Sequence, residues 1–202
     1  MTRDRIGIFG GTFDPVHVGH LIIAAECLHV LGLQRVAFVP SGNPPHKPDQ
    51  LLSAHADRLA MLELAIFERP NLVVDPIEFE RPGPSFTVET LRELRKRDKE
   101  SDFVFIMGAD SLRELHLWRD PGGIIEQAEI AVARRPGVAI DLVDVERRVP
   151  GASARVHIVD VPLIGVSSSD IRRRVAAAEP ISFQMPWKVE TYIRERRLYC
   201  AV

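Results

Sequence analysis

The stretch GGTFDPVHVGH, residues 10–20, decides the fold. Apolar runs precede and follow it, which predicts a β-strand, a glycine-rich turn and the start of a helix. The turn of such a unit binds anions, because free backbone N–H groups and the positive end of the helix dipole point at one place. His17 and His20 are three residues apart and therefore share one face of the first helical turn. We interpret the stretch as a phosphate site with imidazole donors, which a ligand approaches closely over Gly19.

The composition is that of a soluble globular protein. The 202 residues carry a net charge of -2, which gives no global attraction to nucleic acid or to an anionic membrane. Cys27 and Cys200 form neither a disulfide framework nor a metal-ligand spacing, as in proteins of a reducing compartment. The N-terminus lacks a signal-peptide pattern, and no apolar run reaches the length of about 18 residues that predicts a transmembrane helix. We expect a cytoplasmic protein without nucleic-acid or membrane partners. The sequence does not decide whether the protein is a monomer or a homo-oligomer.

Short apolar runs alternate with helical patterns along the chain, which predicts βαβ units and a parallel sheet. The runs do not alternate in polarity, as expected for strands that helices cover on both faces. We predict an α/β fold: a Rossmann-like, doubly wound parallel sheet in one domain, residues 1–202, with a small C-terminal helical part at about 167–202. The segment 137–151 could be a short helix or irregular. The predicted strands are 5–9, 35–39, 72–75, 103–107, 130–133 and 156–161.

A second phosphate motif, GVSSSDIRRR at residues 165–174, follows the last predicted strand. Its serines suit a helix N-cap. Ser168, Ser169 and the first backbone amides could hold a phosphate, with Arg172 as a permanently charged fork. Alone, the stretch is typical of a capped basic helix. The first motif favours the phosphate interpretation, because both turns lie beyond the carboxyl ends of parallel strands, where ligands gather.

GGTFDPVHVGH and VSSSDIR together resemble the H/TxGH and ISSTxIR signatures of the nucleotidyltransferase superfamily. Within it, the chain is similar to the bacterial nicotinate-nucleotide adenylyltransferases over nearly its whole length. A lone HxGH is shared by several transferases and by class I tRNA synthetases, whereas the ordered set of stretches is specific. The further stretches are NPPHK (43–47), PSFTVETL (84–91), GADSLRELHLW (108–118), ARRPG (133–137) and PWKVETYIRERRLY (186–199).

The resemblance implies adenylyl transfer from ATP to nicotinate mononucleotide, which gives deamido-NAD and pyrophosphate in NAD biosynthesis. The attacking phosphate is already an anion, so that neither a general base nor a covalent enzyme intermediate is required. Catalysis then consists of aligning two polyanions and stabilising the charge that develops on the phosphates. The expected cofactor is Mg²⁺, carried by the oxygens of ATP and pyrophosphate, because the sequence has no dedicated carboxylate cluster.

The resemblance also implies roles for individual residues on the ATP side. His17 is expected to contact the α-phosphate, and His20, Ser169 and Arg172 the β- and γ-phosphates. His17, His20 and Arg172 form the expected catalytic set. Asp110 is expected on the adenylate ribose. The expected ATP-binding residues are Gly10, Gly11, Thr12, Phe13, Gly19, Gly108, Asp110, Ser168 and Ser169.

Four residues are expected to bind the acceptor. Trp118 would stack on the pyridine ring, and Thr87 would bind the ring carboxylate. Lys47 in NPPHK and Arg134 would contact the acceptor phosphate. The residues alone also fit ordinary roles, such as a core tryptophan, a helix N-cap and a solvated lysine. Phe86 stands where the family often has tyrosine, so any hydrogen bond from that hydroxyl is lost here.

Several alternatives stay open. A phosphopantetheine adenylyltransferase or a cytidylyltransferase would share the phosphate motifs but not the full set of acceptor stretches. An adenylyltransferase with nicotinamide mononucleotide as acceptor also stays open, because the sequence does not give the degree of selectivity for nicotinate over nicotinamide. A non-catalytic nucleotide sensor would have no need to hold the leaving pyrophosphate. A tRNA synthetase fragment is disfavoured because the sequence has no KMSKS-like lysine loop and a near-neutral charge.

Overall fold

The strands of the chain are seen in a computed structural model that describes residues 3–44 and 52–200. In these two ranges six parallel strands form one sheet in the order β3-β2-β1-β4-β5-β6. Each strand lies within two residues of its predicted position, and the predicted fold class is confirmed. The strands are β1 (Arg5–Gly11), β2 (Arg35–Pro40), β3 (Leu72–Val74), β4 (Asp102–Gly108), β5 (Glu129–Arg134) and β6 (Val156–Asp160).

Helices connect the strands and cover both faces of the sheet. The segment 137–151 contains a short helix, which Asp141 caps by accepting the N–H groups of Val143 and Asp144 at 3.0 Å. The helices are α1 (Val18–Val30), α2 (His55–Ile66), α3 (Thr87–Arg97), α4 (Ala109–Glu114), α5 (Pro121–Gln127), α6 (Leu142–Arg148), α7 (Ser168–Ala176) and α8 (Trp187–Glu195), with 3₁₀ turns at Leu115–Leu117 and Ser153–Arg155.

The core lies on both faces of the sheet. Successive side chains of a strand point to opposite faces, so Phe9 joins the core beneath α1, α2, α7 and α8, whereas Ile8 joins the core beneath α3, α4 and α5. The apolar runs of β1, β2, β4 and β5 are continuous for this reason, because these strands are buried on both sides, whereas the edge strands β3 and β6 are only partly buried. None of the helices in the described residues is long and apolar enough to cross a membrane. The extent of the domain stays a prediction.

The strand order reverses between β1 and β4. The chain proceeds from β1 outward to β2 and β3, and then returns to place β4 on the other side of β1. In open parallel sheets such a switch opens a crevice beyond the carboxyl ends of the strands. Here that edge is formed by Gly11 at the end of β1 and Gly108 at the end of β4.

Candidate active site

The glycine-rich turn connects β1 to α1. β1 runs two residues further than predicted, so Gly10 and Gly11 are its last residues. Phe13 follows with a φ of 48°, which reverses the chain towards α1. A Cβ atom on Gly11 would lie 2.9 Å from the Phe13 ring, and a larger residue there would displace that ring from the core. The turn therefore needs glycine for its internal packing.

His17 and His20 form a stacked pair at the start of α1, with ring centroids 3.7 Å apart. The His17 backbone N–H donates to His20 Nδ1 at 3.2 Å. A neutral His20 therefore carries its proton on Nε2, which becomes a donor. His17 is 7% exposed, and its Nδ1 atom has no hydrogen-bond partner among the residues that the structure describes. A buried polar atom without a partner inside the fold is uncommon, and a catalytic role is one of its known explanations.

Gly19 serves this pair in a way that the sequence did not predict. A Cβ atom at residue 19 would lie 3.0 Å from two atoms of the His17 ring. The sequence predicts that a ligand approaches over Gly19, whereas the His17 ring occupies that space in the structure. The glycine therefore sets the position of the imidazole. Its contact with ATP stays a prediction.

Burial sets the protonation of both imidazoles. Desolvation lowers the pKa of His17 from 6.5 to about 4. Desolvation also lowers the pKa of His20 well below 6.5, and the neighbouring His17 adds to this effect. At neutral pH both rings are neutral, and each has one N–H group to donate.

We expect the free energy of unfolding to fall as the pH drops from about 6.5 towards 4. The folded protein holds the pKa of His17 below its unfolded value of 6.5, so the unfolded state binds more protons in this window. Urea unfolding of the wild type and of His17→Gln at pH 7 and pH 5 checks this. The variant should lose less stability between the two pH values than the wild type, and an equal loss would contradict the assigned cause.

The second phosphate motif lies directly against the first. The Ser168 hydroxyl donates to the Pro15 carbonyl at 2.9 Å, and Arg172 Nη1 donates to the Asp14 carbonyl at 2.6 Å, across 153 and 158 residues of sequence. Arg172 Nη2 lies 3.4 Å from the Ser169 hydroxyl. The two motifs therefore form one surface, in which the guanidinium is anchored on one side and has further N–H groups to donate.

The buried carboxylate of Asp14 supports the turn, a role that was not predicted from the sequence. Asp14 is fully buried, and its side chain accepts the Ser53 N–H at 3.0 Å and the Tyr199 hydroxyl. Desolvation and the negative charge of Asp14 raise the pKa of Tyr199, so that its hydroxyl stays a donor. Tyr199 thereby holds the side chain of Asp14, whereas Arg172 holds its backbone carbonyl.

Arg58 on α2 is a second residue that the sequence analysis missed. It is fully buried and donates to three backbone carbonyls: Thr12 at 3.1 Å, Ser41 at 2.6 Å and Ser53 at 3.2 Å. Thr12 and Ser41 directly follow β1 and β2, so one guanidinium joins the ends of both strands. A signal exists in the sequence, because Arg58 falls on the apolar face of α2, three residues before the buried Met61.

A cavity of about 240 Å³ lies beside the glycine-rich turn, between the ends of β1 and β2 and the start of α3. Gly10, Gly11 and Thr12 line it on one side, and Thr87 and Trp118 line it on the other. The structure thus brings residues predicted for ATP and for the acceptor to one place. A cavity with apolar walls and a few polar groups is typical of small-molecule sites.

Thr87 and Trp118 reach the cavity from neighbouring elements. α3 begins at Thr87, so Phe86 takes the N-cap position, which was the ordinary role considered for Thr87. Trp118 follows the 3₁₀ turn after α4, and its indole meets the Phe105 ring edge to face at 6.2 Å. The tryptophan is half-buried, which allows it both to pack on the core and to face the cavity.

Asp110 and Arg134 lie at the carboxyl edge of the sheet, and neither lines the cavity. Asp110, in the first turn of α4, pairs with Arg113 and lies 3.4 Å from Arg135. Arg134 is the last residue of β5 and donates two hydrogen bonds, of 2.7 and 2.9 Å, to the Asp160 carboxylate. Both predicted contacts therefore belong to groups that already have partners in the ligand-free protein.

Two further predictions concern the rim and the metal. Lys47 lies outside the described residues. Gly108 ends β4, and nothing lies within 4 Å of a Cβ built on it, so the chain leaves open space there. Among residues 3–44 and 52–200, no group of three or more His, Cys, Asp or Glu side chains could hold a metal ion.

Comparison with known proteins gives full-length matches. The chain matches the cytidylyltransferase-like family over residues 8–174. The probable nicotinate-nucleotide adenylyltransferase of Thermomicrobium roseum is 48% identical over 198 residues, which cover 98% of this chain and 92% of that protein. The Roseiflexus castenholzii protein of the same name is 42% identical over 199 residues, 98% of this chain and 100% of that protein.

Solved structures agree on the fold. The nicotinic acid mononucleotide adenylyltransferase of Plasmodium falciparum, complexed with NaAD, superposes with a TM-score of 0.79 over 97% of each chain at 18% identity. The doubly wound sheet and its two phosphate motifs in contact define the class as a nucleotidyltransferase. The relatives narrow the class: the chain belongs to the nicotinate-nucleotide adenylyltransferases of the cytidylyltransferase-like family.

Proposed function

We propose that the protein transfers the adenylyl group of ATP to nicotinate mononucleotide, which yields deamido-NAD and pyrophosphate in NAD biosynthesis. The observation that carries the proposal is the shared cavity, where the end of β1 faces Thr87 and Trp118. An in-line transfer needs both substrates side by side. This cavity adjoins the glycine-rich turn, so an acceptor bound in it would lie beside ATP bound at the turn. The names of the full-length relatives support the same reaction.

The chemistry follows from the residue types. The acceptor phosphate attacks the α-phosphorus of ATP, the new P–O bond forms, and pyrophosphate leaves with the electrons of the broken bond. His17 donates an N–H to the α-phosphate and stabilises the charge that develops there. His20 and Arg172 hold the β- and γ-phosphates, together with Ser168, Ser169 and the amides of α7. No residue becomes covalently attached to the substrate.

Mg²⁺ fits this site as a part of the substrate MgATP. The described residues offer no acidic cluster of their own, and Mg²⁺ is commonly held by substrate phosphates and water. When bound with ATP, the ion would supply positive charge to the phosphate oxygens and to the leaving pyrophosphate.

The remaining predicted contacts belong to the same proposal. Asp110 accepts hydroxyl groups of the adenylate ribose, and Arg134 and Lys47 contact the acceptor phosphate. Arg134 would exchange at least one bond to Asp160 for this contact. We further propose that the enzyme acts in the cytoplasm as one domain of residues 1–202, without nucleic acid. The net charge of -2 supports the last point.

One assay tests the reaction. Purified protein is mixed with ATP, Mg²⁺ and either nicotinate or nicotinamide mononucleotide, and pyrophosphate is followed. We expect release with the nicotinate acceptor. Release with neither acceptor would overturn the proposal. A strong preference for the nicotinamide form would remove Thr87 as the partner of a carboxylate.

Trp118→Ala is expected to raise the KM for the acceptor about 5- to 150-fold, which corresponds to roughly 1–3 kcal/mol for a lost stacking partner. The values of kcat and of the KM for ATP should change little, because of the two substrates the indole contacts only the acceptor in this proposal. Trp187→Ala is the matched control, since Trp187 is 70% exposed on α8 and does not line the cavity. An unchanged acceptor KM in a folded Trp118→Ala protein would leave Trp118 as a core residue.

A further inference from the structure

The lining of the cavity contains two charged side chains among the residues that the structure describes. They have opposite signs: Glu78 and Arg119. The other polar groups of the lining are neutral: hydroxyls, backbone amides and the indole N–H of Trp118. The distribution of these two charges decides where an anionic group can lie in the cavity.

Glu78 is fixed in place by the fold. Its side chain is 8% exposed and accepts the Thr90 hydroxyl at 2.6 Å and the Gly42 N–H at 3.3 Å. Arg81 reaches the same Thr90 hydroxyl at 2.7 Å. A carboxylate held this firmly cannot turn away from an anionic ligand, so it disfavours a negative ring substituent on its own side of the cavity.

Arg119 supplies the opposite charge at another wall. Its guanidinium carbon lies 4.5 Å from the centroid of the Phe86 ring, and Nη1 lies 3.1 Å from Glu89 on α3. Phe86 directly precedes Thr87, so these contacts hold the cation beside the start of α3. The phenyl face orients the guanidinium through a cation–π contact without accepting any of its hydrogen bonds. N–H groups of Arg119 therefore remain for a ligand.

We propose that Arg119 is a specificity-determining residue of this chain, which selects an acceptor whose pyridine ring carries a carboxylate over one with a carboxamide. The inference rests on the proposed function and names the group of the acceptor that is selected. Arg119 attracts the ring carboxylate towards Thr87, and Glu78 disfavours the opposite orientation. A neutral carboxamide gains nothing from the guanidinium charge.

Arg119→Gln tests this assignment. The ratio of kcat/KM with nicotinate mononucleotide to kcat/KM with nicotinamide mononucleotide should fall about tenfold, as expected for the loss of one partly solvated charge-assisted hydrogen bond. The change should lie in the acceptor KM, with kcat retained. Arg119→Lys should keep most of the selectivity, because it keeps the charge. Arg92→Gln is the control, since Arg92 pairs with Asp120 in the same region without lining the cavity.

The outcomes separate Arg119 from the proposed reaction. Equal losses with both acceptors in Arg119→Gln would show a structural role and overturn the assignment, as would selectivity that stays unchanged. Pyrophosphate release with neither acceptor by the wild type would count against the reaction instead. Calorimetry then measures the binding of the two mononucleotides to the wild type and to Arg119→Gln without turnover. The preference for nicotinate mononucleotide, expressed as the ratio of the two Kd values, should fall about tenfold in the variant. An unchanged ratio would overturn the assignment.

Discussion

His17→Ala is expected to lower kcat about 100-fold or more, the usual effect of losing one preorganised donor to a developing negative charge. The ring is held by its stacking on His20 and by the space over Gly19. Its buried Nδ1 has no partner within the described residues. Stacking and steric contacts therefore orient this imidazole without a hydrogen bond at Nδ1. Steady-state pyrophosphate release at saturating substrates measures the effect.

His29→Ala is the control for that experiment. His29 lies in the last turn of the same helix and is exposed to solvent. Replacing His29 removes an imidazole from α1 but leaves the glycine-rich turn and His17 unchanged. The value of kcat should therefore equal that of the wild type. A folded His17→Ala protein with unchanged kcat would exclude His17 from the mechanism. Circular dichroism of both variants establishes that they are folded.

The sheet was predictable from the sequence because its signal is local. Strands buried on both faces are apolar along their length, and β1, β2, β4 and β5 meet this condition over at least four consecutive residues. The edge strands β3 and β6 are only partly buried, and their apolar residues still mark them as short strands. The boundaries were wrong by up to two residues where hydrogen bonds with a neighbouring strand extend the ladder. β1 continues to Gly11 in this way, since Gly11 pairs with Pro40 of β2.

The support of the site was not predictable by the same reasoning. Asp14 reads as a polar turn residue, and only the folded chain brings Tyr199 to it across 185 residues. In the sequence, Arg134 has no evident partner for its positive charge. Only the pairing of β5 with β6 places it opposite Asp160. Motifs indicate which residue types meet a ligand, whereas the partners that fix those residues come from distant parts of the chain.

Arg58→Met is expected to lower the free energy of unfolding by roughly 3–5 kcal/mol, the range for removing one member of a buried charged network. Methionine fills much of the same volume but donates no hydrogen bond. The carbonyls of Thr12, Ser41 and Ser53 would be left without the donor that now serves them. Burial lowers the pKa of Arg58, and the carboxylates of Asp14 and Glu78 oppose that shift.

Urea unfolding of the ligand-free protein measures this loss. Arg69→Met is the control, because Arg69 is exposed just beyond α2, and its replacement should change stability by less than about 0.5 kcal/mol. A loss below about 1 kcal/mol in Arg58→Met would mean that the three carbonyls find other donors. Thr12 and Ser41 both line the cavity, so a folded Arg58→Met protein should also bind its substrates more weakly than the wild type.

Arg58→Lys keeps the charge but cannot reach three carbonyls at once. The free energy of unfolding of Arg58→Lys should therefore lie between those of Arg58→Met and the wild type.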